Sequence, residues 1–212
     1  MRQLSVGVLA GGRNTGEHLN DILYQLNNRR YMKRLMGELG IFTEMLISDA
    51  KMGNFEELGP RVVYDAYGDI GPIDGICQIL RQVSSPYVFV CAVDMPFISI
   101  DLVEYLAGYI SEEYDCYVLA DEERVHPLCA IYSKEVLPII EELIAVDEVQ
   151  PLIGLEYLIR IPGNLHQCGA SRHQLVGKQI DERQIAKVAV IWDSDCLRGH
   201  KMISKYKRHY DH

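Results

Sequence analysis

Short apolar runs alternate along the chain with segments whose apolar residues recur at helical spacing. Residues 4–9 form an apolar run that predicts a buried strand, and residues 87–93 form a near-continuous run typical of a central parallel strand. Shorter strands are predicted at 43–48, 61–64, 116–120 and 128–132, with a strand-like segment at 187–192. Helices are predicted at 31–39, from Pro72 onward, at 99–110 with Ser99 as the cap, and at 134–145. This alternation predicts an α/β fold with a mostly parallel sheet and right-handed crossovers.

Length and composition are consistent with a globular protein that has one large core. The chain has 212 residues, of which 48% are hydrophobic. No stretch reaches the roughly 18 apolar residues of a membrane span, and glycines rather than a cleavage site follow the first run, so we expect a cytoplasmic protein. The six cysteines have no C-x-x-C pair and no zinc-like spacing, and four stand in apolar surroundings, which favours buried thiols.

Negative charge is concentrated in the first three quarters of the chain. The net charge is −9, but residues 165–212 hold nine Lys and Arg against five Asp and Glu, so residues 1–164 hold 12 against 25, a balance of −13. Such a balance argues against nucleic acid as a partner, since affinity for phosphate backbones comes from clustered Lys and Arg. Phosphate binding by this protein would need a metal ion. The basic C-terminal segment is typical of a solvated end.

A glycine-rich turn follows the first predicted strand. Leu9, Ala10, Gly11 and Gly12 lie at the carboxyl end of that strand, where open α/β sheets bind ligands. Glycine lets backbone N–H groups approach an anion closely because no Cβ intervenes. The glycines do not match G-x-G-x-x-G, and the second predicted strand ends at Ser48 rather than at an acidic residue, so a dehydrogenase is disfavoured.

Acidic residues follow several of the predicted strands. Asp94 comes after the central apolar strand and before Pro96, which would project a carboxylate into the ligand crevice and suit Mg²⁺. The alternative is an Asp that only caps the next turn. Asp65 ends another strand and Asp74 follows Gly71-Pro72, so we expect these carboxylates to converge, and their mutual repulsion favours a metal.

Four segments, in the same order and at similar spacing, resemble the molybdenum cofactor guanylyltransferases, also called molybdopterin-guanine dinucleotide biosynthesis protein A. They are Leu9-Ala10-Gly11-Gly12-Arg13; Val62-Val63-Tyr64-Asp65 with Gly71-Pro72-Ile73-Asp74-Gly75-Ile76; Val93-Asp94-Met95-Pro96-Phe97; and His126-Pro127-Leu128-Cys129-Ala130-Ile131-Tyr132. The resemblance implies a three-layer Rossmann-like nucleotidyltransferase domain over residues 1–162. Residues 163–212 would be a divergent C-terminal extension packed on the same domain.

The resemblance also implies the reaction and the residues that carry it. GMP would pass from GTP to the terminal phosphate of molybdopterin by in-line attack, with Mg²⁺ as the metal. Leu9, Ala10, Gly11, Gly12, Ser48 and Asp65 would contact the nucleotide, and Asp94 would be the metal ligand and catalytic residue. Gly71, Pro72 and His126 would lie on the acceptor side, although a His before Pro is equally a turn residue. A homodimer is one assembly that the sequence leaves open.

The loop after the glycines departs from the family pattern Gly-Gly-x-Ser-x-Arg-Met-Gly-x-Asp-Lys. Gly16 replaces the Arg and Asp21 replaces the Lys that would face the triphosphate. A unit charge about 4 Å from a phosphate is worth roughly 4 kcal/mol at an effective dielectric of 20, and an Asp reverses its sign. Two classes of function therefore remain: a nucleotidyltransferase, or a non-catalytic relative that binds a nucleotide, the molybdenum cofactor or a partner protein. The family's closing Asn-x-Asn-Thr-Pro segment is also absent after residue 160.

Overall fold

The computed structural model describes residues 4–10, 18–50, 55–67, 70–93, 95, 98–120, 125–145 and 188–192. Within these ranges seven strands form one sheet in the order β3-β2-β1-β4-β6-β5-β7. The strands are β1 (Leu4–Leu9), β2 (Met45–Asp49), β3 (Arg61–Tyr64), β4 (Tyr87–Ala92), β5 (Cys116–Ala120), β6 (Val125–Ser133) and β7 (Val188–Trp192). Only β6 runs antiparallel to its neighbours in this described sheet, so the predicted mostly parallel sheet is confirmed.

Helices cover both faces of the sheet. The described helices are α1 (His18–Leu39), α2 (Pro72–Gln82), α3 (Ile100–Ala107) and α4 (Leu137–Ala145). Apolar residues of α1 and α3 pack with one face of the central strands. Those of α2 and α4 pack with the other face. This arrangement confirms the three-layer fold, and it explains why β1 and β4 read as continuous apolar runs, since both of their faces are buried.

Local sequence accounts for most of the element boundaries. Pro72 begins α2, and Ile73, Ile76, Ile79 and Leu80 are all buried on that helix as their spacing predicts. Ser99 caps α3, because its side-chain oxygen accepts the backbone N–H of Leu102 at 3.4 Å. Both predictions are confirmed.

Several predicted boundaries were wrong. β2 ends at Asp49 rather than Ser48, so an acidic residue does end the second strand and one of the two sequence arguments against a dehydrogenase fails. α3 ends at Ala107 rather than at residue 110, and α4 begins at Leu137 rather than at residue 134.

Two larger differences concern α1 and β6. α1 begins at His18, thirteen residues before the predicted start at Tyr31. Leu19, Ile22, Leu23 and Leu26 recur at helical spacing and signal this earlier start. β6 begins at Val125 rather than Leu128, so that Pro127 lies inside a strand. The register between β5 and β6 shifts between Val118 and Leu119, opposite the segment that contains Pro127, which has no N–H to donate to the ladder.

The strand-like segment near residue 190 joins the same sheet. β7 pairs in parallel with β5, with Cys116 opposite Val188. Part of the predicted extension therefore continues the main sheet, whereas the boundary at residue 162 stays a prediction. The four cysteines that the structure describes, Cys77, Cys91, Cys116 and Cys129, are buried thiols outside any disulfide, as expected. Cys168 and Cys196 lie outside the described residues.

Across the described ranges, no helix combines the length and apolar character that crossing a membrane requires.

Candidate functional site

The carboxyl ends of the parallel strands meet at one edge of the sheet. The backbone N–H of Ala10 donates to the carbonyl of Ser48 at 2.8 Å, and the N–H of Val93 donates to the carbonyl of Leu9 at 2.9 Å. From this point β1 continues through α1 to β2 on one side, while β4 continues through α3 to β5 on the other. The gap between β1 and β4 is thus the topological switch point, where open α/β sheets bind ligands.

Ser48 and Asp65 form a hydrogen-bonded pair beside this gap. The Ser48 hydroxyl donates to Oδ1 of Asp65 at 2.9 Å, and Ser48 is only 2% exposed. Burial, and then the charges of Asp74 and Asp49, raise the pKa of Asp65 above its ordinary value of 3.8, although the Ser48 hydrogen bond opposes this change. Among the described residues no donor is assigned to the second oxygen, Oδ2. A half-buried carboxylate with one oxygen available is typical of a ligand-contacting acceptor.

The Asp74 carboxylate is fully compensated by N–H donors. Its Oδ2 accepts the backbone N–H groups of Ala66 at 2.9 Å and Tyr67 at 2.7 Å, and its Oδ1 accepts the Gln78 amide at 2.9 Å. These donors compensate the Asp74 carboxylate without a cation, so the convergence of Asp65 and Asp74 does not by itself require a metal, and the magnesium ion stays a prediction. No group of three or more His, Cys, Asp or Glu in the described part of the chain could hold a metal.

Gly75 brings α2 against the ends of β1 and β2. A Cβ at this position would lie 2.7 Å from Ser48 Oγ and 2.8 Å from Leu9 Cδ2. Gly71, immediately before α2, has φ of 81°, a conformation that favours glycine, and its carbonyl accepts the Asp74 N–H at 3.2 Å. Gly71 and Pro72 thus set the start of the helix that carries Asp74 and Gly75, and their predicted contact with the acceptor substrate stays a prediction.

A second set of side chains, which the sequence reasoning missed, holds the segment after Asp65. The Arg81 guanidinium donates to the Tyr67 hydroxyl at 2.6 Å and forms an ion pair with Glu141 of α4 at 2.8 Å. These hydrogen bonds, to Tyr67 first and Glu141 second, raise the pKa of Arg81. No local sequence motif announces this contact, since it joins residues 14 and 60 positions apart.

His126 lies on the opposite side of the switch point from Asp65. It pairs in register with Leu119, close to the carboxyl end of β5, because β6 runs antiparallel and begins at that edge. In the strand order, β2 and β3 with Ser48 and Asp65 lie on one side of β1 and β4, and β6 with His126 lies on the other. His126 therefore lies on the other half of this edge from Ser48 and Asp65, whereas Gly71 and Pro72, also predicted for the acceptor side, begin the helix that packs against Ser48.

Several predicted site residues cannot be placed. Gly11, Gly12 and Asp94 lie outside the described residues, although the residues before them, Ala10 and Val93, are tied to neighbouring strands as given above. Asp21 lies in the first turn of α1. The assignments of Gly11, Gly12, Asp21 and Asp94 stay predictions.

Comparison with solved structures identifies the class of fold. Molybdopterin-guanine dinucleotide biosynthesis protein A from Archaeoglobus fulgidus superposes with a TM-score of 0.58 at 18% identity, over 95% of this chain and 99% of that one. A protein from Aquifex aeolicus superposes with a TM-score of 0.67 at 21% identity, over 92% and 89%. At these identities the structures show the fold alone, which is the Rossmann-like α/β fold found in nucleotidyltransferases.

Sequence comparison identifies the family. The model of the MobA-like NTP transferase domain matches residues 6–161. A probable molybdenum cofactor guanylyltransferase from Clostridium perfringens is 34% identical over 143 residues, 67% of this chain and 72% of the relative. One from Pelotomaculum thermopropionicum is 33% identical over 164 residues, 74% and 80%. The chain belongs to the family of MobA-like NTP transferase domains, which are nucleotidyltransferases, and the predicted resemblance is confirmed.

Proposed function

We propose that the protein transfers GMP from GTP to the phosphate of molybdopterin and releases pyrophosphate. The observation that carries this proposal is the Ser48–Asp65 pair at the carboxyl edge of the sheet. Ser48 fixes one carboxylate oxygen, which leaves the other available to a ligand. Guanine presents two adjacent N–H donors on one edge, and a carboxylate accepts such donors with strong charge-assisted hydrogen bonds. The names of the relatives support the same nucleotide and acceptor.

The other end of the nucleotide would lie over the switch point. Backbone N–H groups of the Leu9–Gly12 turn would face the phosphates, and the acceptor would approach from the side of His126, so that its phosphate oxygen attacks the α-phosphorus in line. The chemistry of the donors fits a magnesium ion held by Asp94, because Mg²⁺ takes one or two carboxylates together with phosphate oxygens and water. When bound, this ion would neutralise part of the phosphate charge, a role that no lysine can take because residues 11–21 contain none.

The second candidate is a relative that binds GTP without transferring GMP. The replacement of the loop Arg and Lys by Gly16 and Asp21 favours it, since these cations would stabilise the charge on pyrophosphate as it leaves the α-phosphorus. Nearby negative charge adds to this effect, because Asp74 and Asp49 lie close enough to Asp65 to raise its pKa.

Calorimetric titration of GTP, ATP and CTP, each with Mg²⁺ and with EDTA, tests binding and nucleotide choice. We expect GTP to bind most tightly and only with the divalent ion, and Asp94→Asn to abolish binding. The matched control is Asp101→Asn, which removes an exposed carboxylate in the first turn of α3. Equal binding in EDTA would overturn the metal assignment.

Pyrophosphate release on addition of molybdopterin separates the two candidates. Release with GTP and not with ATP supports the transferase. Tight, Mg²⁺-dependent GTP binding without release establishes the non-catalytic relative instead.

A further inference from the structure

The turn that follows Asp65 is held by a residue of the next helix. We propose, on the basis of the proposed function, that Asp74 is a positioning residue: by accepting the N–H groups of Ala66 and Tyr67 it holds the Asp65 carboxylate in the nucleotide site. Asp74 itself is not expected to contact Ser48 or the nucleotide. It acts through the backbone of residues 65–67.

The geometry of Asp74 is specific to this task. It is the third residue of α2, where an acidic side chain ordinarily caps the N–H groups of its own helix. Here one carboxylate oxygen turns instead to the two backbone N–H groups that immediately follow Asp65, at 2.9 and 2.7 Å. Gln78, one turn further along α2, holds the other oxygen at 2.9 Å. The turn is thereby fixed relative to the helix rather than to its own strand.

Burial indicates that these hydrogen bonds govern the position of the turn. Asp74 has no exposed surface, and every residue of α2 from Ile73 to Leu80 is buried. A buried carboxyl group that loses its hydrogen-bond partners is costly. Displacement of the Ala66 and Tyr67 N–H groups would leave one buried oxygen of Asp74 without them, so these hydrogen bonds hold the turn and the carboxyl group together.

The far end of the turn is anchored separately. Tyr67 contacts Arg81 through its hydroxyl group, and Glu141 holds Arg81 in turn. Tyr67 is therefore bound at its backbone by the start of α2 and at its side chain by the end of α2. Because Asp65 lies between β3 and this doubly held residue, its carboxylate has little freedom to leave Ser48.

Two substitutions separate the hydrogen bonds of Asp74 from its charge. Asp74→Ala removes the acceptor for all three N–H groups. Asp74→Asn can keep a carbonyl oxygen toward Ala66 and Tyr67, while its amide faces a reoriented Gln78 carbonyl, so the turn is preserved without the charge. Glu44→Ala is the matched control: Glu44 also accepts a loop N–H, that of Ser84 at 2.9 Å, but at the amino ends of the strands.

Hydrogen exchange of the nucleotide-free protein and GTP titration are measured on all four proteins. We expect Asp74→Ala to speed amide exchange in residues 65–67 and to weaken GTP binding about tenfold, which corresponds to 1.4 kcal/mol. We expect Asp74→Asn to restore both values to within about threefold of wild type. Glu44→Ala should speed exchange near Ser84 and leave the GTP dissociation constant unchanged.

The outcomes distinguish this inference from the proposed function. Unchanged exchange at residues 65–67 in Asp74→Ala overturns the positioning role whether or not GTP binds. Equal loss of GTP affinity in Asp74→Ala and Glu44→Ala overturns it as well, since both would then act through general stability. If Asp74→Ala does not fold, failure of Asp74→Asn to bind GTP although its exchange matches wild type overturns the role. Absence of GTP binding by the wild-type protein contradicts the proposed function, and the exchange measurement still decides the position of the turn.

Discussion

Gly75 of α2 lies so close to Ser48 of β2 that a Cβ on the glycine would come within 2.7 Å of the serine Oγ. The Ser48 hydroxyl group is also the one that donates a hydrogen bond to Asp65. The packing of α2 against β2 therefore sets the orientation of the Ser48 side chain in the candidate site, and a change in either would alter the other.

Gly75→Ala is expected to lower stability and GTP affinity together. The added methyl group must displace Ser48 or Leu9, and overpacking of this kind costs about 1–3 kcal/mol. Gly37→Ala is the control, because Gly37 lies on the exposed face of α1 with nothing within 4 Å of its Cβ position. That variant should be about 0.5–1 kcal/mol more stable than wild type. Thermal unfolding and GTP titration of both variants check the prediction, and a Gly75→Ala protein with normal GTP affinity would contradict it.

Asp65→Asn is expected to weaken GTP binding roughly tenfold to a hundredfold, since an acceptor for two N–H donors is lost. The same variant should be more stable at neutral pH, by about 0.5–2 kcal/mol. Since folding raises the pKa of Asp65, protonation of this carboxyl stabilises the folded protein relative to the unfolded chain; this contribution is complete below pH 3.8 and lost as the pH rises through the raised pKa. The gain in melting temperature should therefore disappear in acid.

Glu44→Gln tests the hydrogen bonds at the amino ends of the strands. Burial would raise the pKa of Glu44, but hydrogen bonds from Ser5, Ser84 and Ser85 outweigh it and lower the pKa below its ordinary value of 4.5. The charged form is favoured, so its stabilisation is present above pH 4.5 and lost as the pH falls through the lowered pKa. We expect a loss of about 1 kcal/mol at pH 7 that vanishes in acid. Thermal unfolding at pH 7 and in acid measures this change, and Glu57→Gln, at an exposed site, should leave the melting temperature at pH 7 unchanged.

Restoring the family's cations should tighten triphosphate binding. Asp21→Lys combined with Gly16→Arg replaces a repulsive charge by two attractive ones beside the expected phosphates. Because Asp21 lies in the first turn of α1, a lysine there should also lower stability by about 0.3–1 kcal/mol through the helix dipole. A dissociation constant for GTP that does not decrease would show that this segment does not face the phosphates.

The strands, and with them the edge that carries the site, were predictable from sequence. Apolar runs such as Leu4–Leu9 and Tyr87–Ala92 are specific because both faces of a central parallel strand must be apolar. Asp65 was found for the same reason, since it follows directly after β3. The hydrogen-bond partners of the acidic side chains were not predictable from the sequence. Asp74 was expected to converge with Asp65 on a metal ion, whereas it accepts N–H groups that become available only once the turn at residues 66–67 has formed.

The place of β7 in the sheet bears on how the protein folds and on where it can be cut. β7 pairs in parallel with β5, with Cys116 opposite Val188. Because these residues are far apart in the sequence, their contact closes a long loop and is expected to form late in folding. The family match ends at residue 161, before β7 is reached. A fragment ending there would leave the buried residues of β5 on an open sheet edge, which is a template for association with other chains. The part of the chain that the family model matches is thus shorter than the sheet that covers β5.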